Sequence, residues 1–149
     1  MILVSACLLG INCKYNGDNN KSEKIREYLK GKQFIMVCPE QLGGLSTPRI
    51  PSEIINNDSD IRKVMSKEGI DVTENFIKGA DEALKISRMY NCTEAILKEG
   101  SPSCGSKQIY DGSFSGVKID GMGITAEILK KANKKLFFLK IFGHIKKKQ

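Results

Sequence analysis

The sequence predicts a single α/β domain built on a mostly parallel sheet, and two observations predict it. Short apolar, strand-like runs alternate with amphipathic, helix-like ones along the 149 residues, and that alternation builds a parallel sheet with helices on both faces. Three of the apolar runs lead into a cysteine: Ile2-Leu3-Val4-Ser5-Ala6 into Cys7, Phe34-Ile35-Met36-Val37 into Cys38, and Glu94-Ala95-Ile96-Leu97-Lys98, past a short turn, into Cys104. In parallel sheets ligands bind beyond the carboxyl ends of the strands. The expected architecture is therefore three-layer α/β/α and Rossmann-like, with strand-end cysteines converging at the C-terminal edge.

The first strand, 2–6, is continuously apolar rather than alternating, as in a strand buried on both faces. Ser22 caps a predicted helix over 23–30, with Glu23 in its first turn and Gly31 closing it. A second strand spans 33–38. The loop that follows, with Gly43, Gly44, Pro48 and Pro51, is too punctuated for regular structure. Ile61, Val64 and Met65 predict a short helix around 59–67. Thr73 caps the strongest helix, 74–90, where Phe76, Ile77, Ala80, Ala83, Leu84 and Ser87 recur at helical spacing. A third strand, 94–98, precedes a long loop over 100–123 that holds six of the fourteen glycines, and loops of that length are usually functional. A helix over 124–132 and a strand over 136–141 complete the order β-α-β-α-α-β-α-β.

The chain is long enough for one domain with a core, set here at 1–142, and no apolar stretch approaches the ~18–20 residues that span a bilayer. The net charge of +7 suggests nucleic acid until it is located. Residues 130–149 hold eight lysines and no acidic residue, so the body is nearly neutral and 143–149 reads as a solubilising basic tail. The aromatics of that end, Phe137, Phe138 and Phe142, fall in or beside a predicted strand rather than on a stacking platform, so nucleic acid is not an expected partner. Val4-Ser5-Ala6-Cys7 has the look of a lipidation site, but no basic segment and only six residues precede the cysteine. The odd count of five cysteines argues against a complete disulfide framework and for reduced thiols in a cytoplasmic protein without a membrane partner.

In that setting clustered cysteines favour metal binding or catalysis. Converging thiolates at Cys7, Cys38 and Cys104 can hold zinc, hold an iron–sulfur cluster, or pack as small apolar residues. There is no CxxC pair and the one histidine, His144, lies in the basic end, which weakens zinc. A cluster held by three cysteines leaves one iron open as a Lewis acid. Cys92 reads as a packed core thiol; Cys13 stands open between a core thiol and a spare ligand. Glu40 falls at the same edge as Cys38 and is either an acid–base group or a loop carboxylate. Ser101 and Ser103 are turn formers or hydrogen-bond partners of a sulfur or a substrate oxygen. The stretch Ile109–Gly116, with Tyr110, Asp111 and Ser113, suits closing over a flat polar ligand and equally suits a simple turn. No phosphate loop, dinucleotide fingerprint or serine-hydrolase elbow occurs.

Several longer motifs stand in series: Ser5-Ala6-Cys7-Leu8-Leu9-Gly10, Cys13-Lys14-Tyr15-Asn16-Gly17, Cys38-Pro39-Glu40-Gln41-Leu42-Gly43-Gly44-Leu45 and Thr47-Pro48-Arg49. Asp71-Val72-Thr73, Ser101-Pro102-Ser103-Cys104-Gly105, Ile109–Gly116 and Gly121-Met122-Gly123-Ile124-Thr125-Ala126 follow. Over residues 2–130 this resembles a small bacterial family formerly labelled only as a domain of unknown function, whose characterised members are thiouracil desulfurases. The resemblance implies a 4Fe–4S cluster on Cys7, Cys38 and Cys104, Cys13 being a weaker substitute, with an open iron for the substrate's sulfur. It implies non-redox removal of sulfur from 2-thiouracil or a related thiolated base, with Glu40 and Ser101 in catalysis; Ser103, Tyr110, Asp111 and Ser113 are expected, from their own chemistry, as substrate contacts. The alternative is an iron–sulfur or sulfide carrier without turnover. Two departures stand out: Asn16 replaces the usual Asp of its turn, and the lysine-rich end after 134 is atypical.

Overall fold

In a computed structural model, which describes residues 1–56 and 60–132 together with the backbone of 139–140, four short strands make one parallel sheet. β1 (Ile2–Ser5) is central and buried at every position, as its continuous apolar run requires. β2 (Phe34–Val37) lies along one side of it, Ile2 opposite Phe34 and Ser5 opposite Val37. β5 (Glu94–Ile96) lies along the other, Leu3 opposite Ala95, and β8 (Leu139–Lys140) pairs with β5. The remainder of the predicted last strand and the basic tail lie outside the described residues.

The pleat sends alternate side chains to opposite faces. Leu3 and Ala95 pack with Ala83 of α3 (Thr73–Met89) and with Ala126 and Leu129 of α4 (Ile124–Ala132). Ile2, Val4 and Ile96 pack with Ile25 and Leu29 of α1 (Glu23–Leu29). The start of α1 is as predicted, since the Ser22 hydroxyl accepts the Ile25 N–H. The start of α3 is not: Thr73 is its first helical residue, and its hydroxyl meets Asp71 Oδ1 at 2.6 Å and the Val64 N–H at 2.9 Å instead of capping. Phe76, Ala80, Ala83 and Ser87 of α3 are buried, whereas Ile77 is 44% exposed.

Three stretches depart from expectation. The helix predicted around 59–67 is instead half of an antiparallel hairpin, β3 (Ser52–Ile54) with β4 (Val64–Ser66). Val64 and Ile54 bury themselves with Phe76, while Ile61, the third residue of the supposed helical stripe, is 75% exposed. The punctuated loop after Cys38 contains a one-turn helix, α2 (Pro39–Leu42), with proline at its first position, where the missing N–H costs nothing. The glycine-rich loop over 100–123 contains a second hairpin, β6 (Gln108–Tyr110) with β7 (Lys118–Asp120). Among the described residues no helix is long and apolar enough to cross a membrane.

Candidate active site

Three chain segments carry cysteines past the carboxyl end of the sheet. Beyond β1 the backbone tightens into a 3₁₀ turn, Ala6–Leu9, which carries Cys7 and ends at Gly10 in the left-handed region (φ 94°). The loop after Gly10 folds back, with the Asn20 N–H on the Cys7 carbonyl and the Ser22 N–H on the Leu8 carbonyl, both at 2.9 Å. That return leaves Cys13 buried, 2% exposed. Beyond β2, Cys38 is the cap of α2, and α2 is pressed onto α3 where Gly43 meets Gly79. A Cβ at Gly79 would stand 1.8 Å from the Pro39 carbonyl oxygen, so the approach that places Cys38 and Glu40 requires glycine. Beyond β5, the Ser101 hydroxyl accepts the N–H groups of Ser103 and Cys104, each at 3.1 Å, which winds the turn around itself. The carbonyls of Pro102 and Ser103 then accept the N–H groups of Ile124, Thr125 and Ala126, donors left unpaired at the start of α4.

These segments enclose a cavity of about 420 Å³ lined by Cys7, Cys13, Cys38 and Cys104 together with Glu40, Ser101 and Ser103. Hydrogen bonding with Cys38 and with Cys7 holds the Cys13 thiol well above the usual range. The same hydrogen bond is the main reason Cys38 is lowered to about 6, helped by the Gln41 backbone N–H against the opposing cost of burial. It also lowers Cys7 to about 7, with burial opposing and Asn20 and Lys98 assisting. Cys104 is different: burial pushes it up to about 12, with hydrogen bonds from Ser5 and Ser103 only partly offsetting that cost. All five cysteines are free thiols. Among the described residues no three Cys, His, Asp or Glu side chains are gathered closely enough to share a single metal ion.

Glu40 stands at the centre of a polar chain. Its Oε1 accepts from Arg49 Nε at 3.2 Å and its Oε2 from the Ser103 hydroxyl at 2.9 Å. Because Ser101 Oγ already accepts two backbone N–H groups, its own proton is free for Ser103 Oγ, 2.8 Å away, and the Ser103 proton then goes to Glu40. Ser103 Oγ is also 3.6 Å from Cys104 Sγ, so the carboxylate chain ends against a thiol. Arg49 is nearly buried, its side chain 8% exposed, and it donates further to the carbonyls of Ser46 and Cys13 and to the Thr47 hydroxyl.

Of the residues predicted from sequence, Cys7, Cys13, Cys38, Cys104, Glu40, Ser101, Ser103 and Tyr110 all line the one cavity. Asp111 and Ser113 are not among its lining residues; Asp111 Oδ1 accepts the Ser113 N–H at 2.9 Å and its hydroxyl at 2.5 Å, within the β6–β7 turn. Those two bonds, chiefly the hydroxyl, hold the Asp111 carboxyl below its ordinary value. Cys92 sits in the core with Leu3 and Ala95, as expected of a packed thiol. Arg49, Glu53, Phe114, Lys98 and Lys118 also line the cavity; Arg49 and Phe114 fall within two of the serial motifs, but the sequence singled out none of the five as a site residue. Lys98 is held below the usual lysine range by burial, while Lys118 lies over the Tyr110 ring, 5.5 Å from its centre. A Thr-Pro-Arg stretch nine residues after a candidate carboxylate was the only available sign of Arg49.

The chain is 50% identical over 137 residues to the uncharacterised protein YbbK of Bacillus subtilis (strain 168), covering 89% of this chain and 91% of that protein. Its fold is similar to a solved structure of the [4Fe-4S]-dependent thiouracil desulfidase TudS, with a TM-score of 0.82 and 38% sequence identity, covering 93% of this chain and 88% of that one. A family model described as 2-thiouracil desulfurase matches residues 2–140, and the chain belongs to that family.

Proposed function

We propose that this protein is a desulfurase that removes sulfur from 2-thiouracil or a related thiolated base, with a 4Fe–4S cluster held by Cys7, Cys38 and Cys104. The observation that carries the reading is the contact at Ser103, whose hydroxyl lies 2.9 Å from the Glu40 carboxylate and 3.6 Å from Cys104 Sγ. It sets an acid–base group beside one of the proposed ligands at the carboxyl edge of a sheet read as three-layer and Rossmann-like.

The donor set fits the cluster. Thiolate sulfur is the usual ligand of iron–sulfur clusters. The three cysteines come from three separate segments, and ligands that each bind a different iron stand further apart than ligands crowded on one ion. Cys7 and Cys38 are held in or near the thiolate form, whereas Cys104 keeps its proton until metal displaces it. Cys13, whose thiol is kept protonated by its hydrogen bonding with Cys38 and Cys7, supports those two ligands rather than replacing them. The dependence of the similar TudS protein on such a cluster supports the same cofactor here.

When bound, the cluster supplies a Lewis-acidic iron with affinity for the substrate's sulfur and requires no net electron transfer. The protein's own groups supply the rest. Glu40, held by Arg49, accepts a proton from the water that attacks the carbon bearing sulfur. Ser103 and Ser101 form the path along which that proton is returned to the leaving group or the ring nitrogen. Tyr110 contributes a wall of the cavity, with Lys118 over its ring. Replacing Glu40 with alanine tests this directly: turnover of 2-thiouracil should fall at least ~100-fold while iron content and the visible spectrum stay unchanged. Retained turnover would remove Glu40 from the mechanism. If the wild type carries a cluster yet releases no sulfide from any thiolated base, it acts as a carrier.

A further inference from the structure

The β6–β7 turn carries a feature that the desulfurase reading leaves unassigned. Phe114 has φ 56°, a left-handed conformation that a bulky aromatic rarely adopts and that glycine or asparagine would take without strain. Phe114 lines the cysteine cavity and belongs to none of the three buried clusters formed by the described residues, so core packing does not account for its conformation. The conformation is held from outside the turn. Glu53, a buried carboxylate on β3, accepts the N–H of Gly112 at 3.0 Å and the N–H of Phe114 at 3.2 Å through the same oxygen. Between them the turn is pressed onto β3, since a Cβ at Gly112 would lie 2.8 Å from the Ile54 carbonyl oxygen. The outer side of the turn is closed by the Asp111, Ser113 and Ser115 hydrogen bonds, so those groups hold the turn.

We infer that Phe114 is a substrate-binding residue whose ring packs on the face of a planar heteroaromatic substrate, and that Glu53 is the positioning residue that pins it there. The inference rests on the desulfurase reading for its substrate class and moves the predicted contact from Asp111 and Ser113 to Phe114. A flat ring suits it because an aromatic wall accepts any base face, leaving the choice of reacting atom to the polar end of the cavity.

The test uses reconstituted holoprotein, equilibrium dialysis with 2-thiouracil and with uracil, and sulfide release for turnover. Stacking of this kind loses about tenfold or more in affinity on truncation to alanine. Phe114→Ala should raise Kd and KM by about that factor, with kcat and iron content essentially unchanged, and Phe114→Tyr should restore both. Phe114→Gly relieves the strained backbone, so it should show the same loss of affinity at a melting temperature no lower than the alanine variant's. Glu53→Gln should raise KM by a smaller factor, about threefold, because a neutral acceptor holds the two N–H groups less firmly. Wild-type affinity in Phe114→Ala and Phe114→Gly would overturn the proposal, as would a fall in kcat at unchanged KM. Normal binding without sulfide release in the wild type would refute the desulfurase reading while leaving the Phe114 contact standing. Wild-type holoprotein that binds neither base would overturn both.

Discussion

Arg49 offers the sharpest test of how the site is held together. Its side chain is 8% exposed and that of its partner Glu40 is 18% exposed, so the pair is removed from most of its solvent screening. Replacing Arg49 with methionine keeps much of the side chain's length but leaves the Glu40 carboxylate, among the described residues, with only the Ser103 hydroxyl, and strips donors from the carbonyls of Ser46 and Cys13. Removing one partner of a buried pair costs about 3 kcal/mol or more, because a charge is left without compensation. For a domain of this size that is a drop of roughly 8 °C in melting temperature. Arg49→Lys should fall between the two, since one ammonium cannot reproduce a fork that reaches Glu40, Thr47 and two carbonyls. The assay is urea unfolding of the metal-free, fully reduced protein, fitted with a common slope for all variants. Adding Glu40→Gln to Arg49→Met should recover about 1 kcal/mol or more relative to additivity, as expected for groups in contact. A loss within ~0.5 kcal/mol for Arg49→Met, the range of ordinary surface substitutions, would refute the reasoning. So would strict additivity in the double variant.

Two other predictions follow from the packing and from the thiols. Gly79→Ala should destabilise the protein by about 2 kcal/mol or more, since its Cβ would collide with the Pro39 carbonyl; it should also lower iron loading, because α2 carries both Cys38 and Glu40. Unchanged stability would show that α2 does not rest on Gly79. A thiol reacts as its thiolate, which forms above its pKa; in metal-free protein, labelling by iodoacetamide should therefore rise through about pH 6 at Cys38 and about pH 7 at Cys7. Cys104, pushed up to about 12 by burial, should stay unlabelled across that range, and peptide mass spectrometry that found it labelled first would contradict the assignment.

How much of this could be read from the sequence depended on how local the physics was. The continuous run Ile2–Ala6 and the stripe Phe76, Ala80, Ala83 report their own burial, so β1 and α3 were legible. Ile61, Val64 and Met65 fit a helical spacing by coincidence, because what fixes β4 is its pairing with Ser52–Ile54 across a loop. The three-residue strands of β6 and β7 are too short to show alternation among so many glycines. In the site, the cysteines that follow strands were legible because a parallel sheet brings strand ends to one edge. The place of Cys13 between Cys7 and Cys38 was not, since it depends on the loop return tied by the Asn20 and Ser22 N–H groups. The bond from Arg49 to Glu40 joins a loop to a helix of a single turn, and no periodic pattern announces such a contact.

The most direct test of the central claim is chemical. Protein reconstituted without oxygen should hold about four iron and four acid-labile sulfide per chain. On addition of 2-thiouracil it should release sulfide and uracil in equal amounts, and Cys7→Ser, Cys38→Ser and Cys104→Ser should each lose the cluster. A protein that holds no cluster, or keeps a full one in Cys104→Ser, would contradict the account.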